Sequence, residues 1–290
     1  MTAEGYLNKK EIIYVLEDAL ELFNNKYNTN YNQANIHIDF FKLKDFPEVY
    51  ERFCRDRFPR WLREDYTNPD FYKYTYASAF VEGDNFGILI RSSAKFVYGT
   101  WLEIILHELG HIFATTHEYD GDYYHEYCED DSPVENPDMH YMGYTMWKEF
   151  IAEFLAQNAL PPKTRQSLCQ SSDKIIAWDE DIIGTDKTSM SSLGRMLAAI
   201  FTTTNFYNTD EWKTFESEVS ILWNDRGLLY KSICQDIFYR LKAKKDNPHI
   251  ISPDFIFVMG EHVFQITRLK YQSTHNRLTD RKSTRLNSSH

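Results

Sequence analysis

The stretch from Trp101 to His111 reads WLEIILHELGH. His107 and His111 stand four residues apart, and Glu108 follows the first. The apolar residues Ile104, Ile105, Leu106, Ile112 and Phe113 surround them at helical spacing. The pattern predicts one helix from about Phe96 to Thr116. Residues four apart share a helix face, so both imidazoles can reach one ion. Neutral imidazole suits zinc, with nitrogen–zinc distances of about 2.0–2.1 Å. Glu108 lies beside that face, where it can take a proton from water that a metal has acidified to a pKa of about 7. Ionisable groups in a mostly buried helix need such a reason, or else a structural pairing of core histidines with carboxylates.

Working outward, the N-terminal side carries strands as well as helices. Lys9 to Asn25 has apolar residues at helical spacing from Ile12 to Phe23. Ala34 to Leu43 alternates and is rich in Ile and Phe, which predicts a strand. Phe46 to Phe58 predicts a short helix ended by Pro59. Tyr72 to Val81 and Phe86 to Arg91 flank Glu82-Gly83-Asp84-Asn85, a hairpin signature. On the C-terminal side, Thr116 to Tyr141 is acidic and aromatic and reads as a long loop. Tyr144 to Ala159 is a second strong helix, stopped by Pro161 and Pro162. Helices are expected over about Thr164–Trp178, Ser189–Thr203, Asp210–Trp223 and Leu228–Lys245. A last apolar segment runs from Asp254 to Leu269. Strands first and helices after give an α+β class. The expected division is 1–116 as an α/β lobe with the His107 helix, and 117–279 as a helical lobe.

Composition narrows the function classes. The chain has 290 residues, enough for a sizeable core, with 42% apolar and 16% aromatic residues. A disordered or low-complexity chain is excluded. The formal net charge of −11 argues against binding nucleic acid or anionic membranes. No run approaches 18 apolar residues, so no transmembrane helix is expected. The N-terminus lacks the apolar core of a secretory signal. Cys54, Cys128, Cys169 and Cys234 are far apart in sequence and read as free thiols of a reducing compartment. Together these features point to the cytoplasm. Asp280 to His290, DRKSTRLNSSH, resembles one translated frame of a short-read sequencing adapter. It is set aside as non-native, and the natural reading frame is expected to have been cut near Thr279.

The HExxH of His107, Glu108 and His111 resembles the zincin metallopeptidases, over roughly Phe86 to Ala159. The resemblance implies zinc, a peptide or protein substrate, and Glu108 as general base. It also implies an edge strand ahead of the helix that holds substrate as an added strand, a role that falls on Phe86–Arg91.

The third ligand has two candidates. In gluzincins it is a Glu on a second helix, with a carboxylate four residues later supporting a zinc-bound histidine. Glu149 and Glu153 match those roles. Glu149, Ala152 and Ala156, with Leu160-Pro161 after them, are also similar to the ImmA/IrrE-type gluzincins. The alternative is His117, which with His107 and His111 has the metzincin spacing HExxHxxGxxH. Asp138-Met139-His140-Tyr141 then resembles a Met-turn. Ala114 stands where that family has Gly.

Other residues stay open. Tyr123, Tyr124, His125, His140, Tyr141 and Tyr144 are candidates for holding an oxyanion. His125 or Cys128 would close a purely structural zinc site. Glu129-Asp130-Asp131 reads as a solvated loop, and Trp101, Trp147, Trp178, Trp212 and Trp223 as core. The rival to an enzyme is a non-catalytic zinc-binding module on the same fold, acting by protein interaction.

Overall fold

Asn8 starts the first helix, α1 (Lys9–Tyr27). Its side chain accepts from the backbone of Lys10 and Glu11, while the Glu11 carboxylate accepts from Asn8 N at 2.8 Å. That reciprocal cap satisfies amides that no helical turn can reach. Ile12, Val15, Leu16, Ala19, Leu20 and Phe23 form the buried stripe. In this computed structural model the described residues are 5–117, 119, 136–170, 172–184, 186–203, 225–243 and 251–269. The expected helix Asp210–Trp223 and the tail 280–290 lie outside them.

Three strands form one mixed sheet: β1 (Ile36–Phe41), β2 (Ala77–Glu82) and β3 (Asn85–Arg91). Its order is β1-β3-β2, with β1 parallel and β2 antiparallel to β3. The hairpin closes through Gly83 and Asp84, since Glu82 pairs with Asn85. Gly83 has φ +58°, a conformation that only glycine adopts without steric cost.

This order corrects one expectation. Phe86–Arg91 is the central strand, hydrogen-bonded on both sides, and so has no edge to offer a peptide. The reason is a pairing across distance: β1, some fifty residues upstream, returns parallel and takes the open side. Strand β3 shows it in its burial, with Ile88, Leu89 and Ile90 all at 1% exposure or less.

Each face of β3 meets a different layer. Helix α2 (Phe46–Arg57) supplies Phe46, Val49, Tyr50, Phe53 and Cys54 to an aromatic cluster with Phe58, Phe80 and Leu89. Alternation sends Phe86, Ile88 and Ile90 to the other face. There Phe86 meets Tyr31, Tyr31 meets Phe23, and Phe23 meets Phe113, with ring centroids about 6 Å apart at each step. Phe113 belongs to the long helix after the sheet. Following the short α3 (Pro69–Tyr72), that helix is α4 (Tyr98–Thr116), close to the expected 96–116.

The next described helix is α5 (Pro137–Ala159). It begins seven residues earlier than expected, so Asp138-Met139-His140-Tyr141 is helical rather than a turn. The predicted helix Thr164–Trp178 is two, α6 (Pro162–Leu168) and α7 (Ser172–Asp181). Asp173 in the first turn of α7 favours a fresh helix start. Then come α8 (Lys187–Thr203), α9 (Asp225–Ala243) and α10 (253–269). The class is α+β.

The chain divides into two compact units. The first is Met1–His117 with Ile151–Ser171, and the second is Glu118–Phe150 with Ser172–His290. Helix α5 runs through the division. Trp101 lies in the core of the first unit, and Trp147 and Trp178 in that of the second; Trp212 and Trp223 lie outside the described residues. Within the second unit Tyr230 donates to Asp179 Oδ1 at 2.7 Å, joining α9 to α7. Cys54, Cys169 and Cys234 are fully buried. Among the described residues no helix is long and apolar enough to cross a membrane.

Candidate metal centre

The centre is built where α4 and α5 cross. Gly110 sits between His107 and His111 on α4, and Ala152 sits between Glu149 and Glu153 on α5. A Cβ at position 110 would lie 2.4 Å from Ala152 O, so the helices pass backbone to backbone. A larger residue at position 110 would hold them apart. Because the crossing falls within both motifs, side chains from the two helices come together beside it.

His107, His111 and Glu149 are the result. Their ligand atoms all lie within 4.8 Å of one another, and the three side chains are buried or nearly so. This group can hold a metal ion. Two imidazole nitrogens and one carboxylate oxygen are the donor set of an open, three-ligand site. Glu108 is 7% exposed on the same helix as the two histidines.

Glu153, on α5, lies against His107. Its Oε2 lies 3.0 Å from His107 Nδ1, with both side chains almost fully buried. A carboxylate there accepts a hydrogen bond from Nδ1–H, which holds the proton on Nδ1 and leaves the Nε2 lone pair for an ion. Glu149 has a cation beside it: Arg195 Nε on α8 lies 3.5 Å from Glu149 Oε2. A counter-charge lowers the cost of keeping that carboxylate ionised away from water.

His117 does not join the group. It ends α4, where its Nδ1 lies 3.1 Å from Phe113 O and 2.9 Å from Thr116 Oγ1. Its ring stacks on Phe113 at a centroid distance of 3.8 Å. The helix does not bend sharply at Ala114, which stays in regular helix and is fully buried. A glycine there would have allowed the departure that carries a third histidine inward.

The remaining candidates separate. His140, Tyr141 and Tyr144 lie on the first part of α5, and none belongs to the group. Burial lowers the pKa of His140, and its ring faces Phe257 at 5.6 Å. Tyr123, Tyr124, His125, Cys128 and Glu129-Asp130-Asp131 lie outside the described residues.

Two residues of the centre escaped sequence reading. Arg195 is 46 positions from Glu149, and nothing in its local sequence marks it. Gln157 is fully buried and donates from Nε2 to Glu153 Oε1 at 2.9 Å. It did leave a signal, since a Gln amid Phe154, Leu155 and Ala156, one turn after Glu153, needs a polar partner. A second convergence shares Glu153: ligand atoms of Glu103, Glu153 and Cys169 also lie within 4.8 Å of one another.

Compared with protein-family models, with curated proteins and with solved structures, the chain matches none.

Proposed function

We propose that this protein is a zinc-dependent metallopeptidase of the gluzincin type. The observation that carries the reading is the convergence of His107, His111 and Glu149 from two helices, with Glu153 at His107 Nδ1. Sequence spacing paired the two histidines with each other and Glu149 with Glu153, but it could not bring the two pairs together; the fold does. A bound zinc ion would act as a Lewis acid, lowering the pKa of water to about 7 and polarising a peptide carbonyl.

The protein's own residues do the rest. His107, His111 and Glu149 hold the ion. Glu108 takes a proton from the attacking water and delivers it to the leaving amine. Glu153 fixes the His107 ring, and Arg195 balances the charge of Glu149.

The substrate is a peptide or protein segment. An extended peptide needs a sheet edge, and β2 is the edge strand packed against α4. Tyr76 O accepts from Arg91 N on the β3 side. Alternation then turns the backbone of Ala77, Ala79 and Val81 outward. Val81 O already accepts from the Trp61 indole at 2.9 Å, so Ala77 and Ala79 are the pairing positions. The acidic chain, its buried thiols and the lack of a membrane-crossing helix among the described residues fit a cytoplasmic enzyme without nucleic-acid partners.

The test is zinc content and peptide-library cleavage by the full chain and by Glu108→Gln. Wild type should hold about one zinc and cleave. Glu108→Gln should keep the zinc and lose about 10²–10⁴-fold in turnover. Unchanged cleavage in that variant would overturn the mechanism. Zinc without cleavage in wild type would instead make the chain a binding module.

A further inference from the structure

We infer that Gln157 is a positioning residue for metal binding, acting on His107 through Glu153. The inference rests on reading His107 as a ligand. Gln157 Nε2 donates to Glu153 Oε1 at 2.9 Å, and Glu153 Oε2 faces His107 Nδ1 at 3.0 Å. The three side chains form one line across the crossing of α5 and α4. Gln157 is 0% exposed, Glu153 1% and His107 2%.

Burial of this kind is costly unless the groups serve each other. A primary amide taken from water loses its solvent hydrogen bonds, and a carboxylate loses more. An apolar residue one turn after Glu153 would fill the same core space at no such cost. What the amide adds is direction. A carboxylate can swing about its terminal torsion, which is broad and weakly restrained. Tethering Oε1 from Gln157 leaves Oε2 aimed at Nδ1. That orients the imidazole and presents Nε2 to the ion. Glu103 and Cys169 offer other atoms to the same carboxylate neighbourhood, so the tether also selects His107 as its partner.

The test separates positioning from packing. Zinc affinity would be measured by chelator competition in the full chain as wild type, Gln157→Met, Glu153→Gln and the double variant. Methionine keeps the unbranched length and removes the donor, and its flexibility suits cores. Gln157→Leu replaces it where Gln157→Met does not fold. Gln157→Met should weaken zinc binding about 10-fold, the low end of the range for such supporting contacts. The absorption spectrum of the cobalt(II)-loaded protein should shift with it. In the Glu153→Gln background the same change should add nothing, because the residue through which Gln157 acts is already altered.

Equal zinc affinity in wild type and Gln157→Met would overturn the inference and leave the metal centre standing. So would a loss of the same size in the Glu153→Gln background, which marks a packing effect alone. A folded wild type that binds no zinc would overturn both this inference and the metallopeptidase reading.

Discussion

Glu149 and His117 competed for one role, and their surroundings separate them. Glu149 meets both histidines within ligand distance and has Arg195 at 3.5 Å. His117 is stacked on Phe113 at the end of its own helix. Glu149→Gln should therefore abolish stoichiometric zinc binding, since a neutral amide is a much poorer ligand than a carboxylate. His117→Ala should hold zinc within about 2-fold of wild type, because it removes neither a ligand nor a ligand's support. Metal analysis after dialysis checks both. Loss of zinc in His117→Ala alone would make the site metzincin-like.

At the scale of elements, the crossing of α4 and α5 is the decisive contact. The atom facing Gly110 is a backbone carbonyl, Ala152 O, and cannot turn aside as a side-chain tip would. Gly110→Ala should cost about 1–3 kcal/mol by overpacking. It should also weaken zinc binding, because the separation of the helices sets the distance from His107 and His111 to Glu149. Gly5→Ala, with nothing within 4 Å of its added Cβ, is the control and should change neither. Chemical denaturation and chelator competition on the two variants read the outcome. A Gly110→Ala protein with wild-type stability would mean that the helices part more easily than their backbone contact implies.

At the scale of the whole molecule, acid should weaken the fold through the buried His140 and the half-buried His37. Burial lowers the pKa of His140, opposed by Asp254, and burial with the nearby Arg57 charge lowers that of His37. The unfolded chain takes up these protons near pH 6.5, and the folded chain only at lower pH. Between those values the unfolded state carries more protons. Stability from this source is therefore complete above about pH 6.5 and declines as pH falls below it. Denaturation midpoints at pH 7.5 and 5.5 should show the decline. His140→Gln should lessen it without removing it, since His37 remains. An equal decline in that variant would exclude His140 as a source.

Local patterns were legible in the amino-acid order, and long-range pairings were not. The helix of His107 and His111 followed from apolar spacing, and both histidines share a face because one turn separates them. The hairpin at Gly83 was equally visible, since a tight turn demands φ > 0 at that residue. Glu149 and Glu153 could be paired as one face of a second helix, and resemblance suggested their roles. Which helix that face would meet was a question of packing. The tertiary structure answered it at Gly110, whose missing side chain matters only because the Ala152 carbonyl lies against it. It also placed β1 beside Phe86–Arg91, which turned an expected edge into the centre of the sheet. Strand order depends on backbone pairings between distant segments, and side-chain periodicity carries no record of them. Arg195 and Gln157 were decided in the same way. A core amide such as Gln157 is recognisable as needing a partner and Arg195 is not, and in both cases only the folded chain brings the partner within reach.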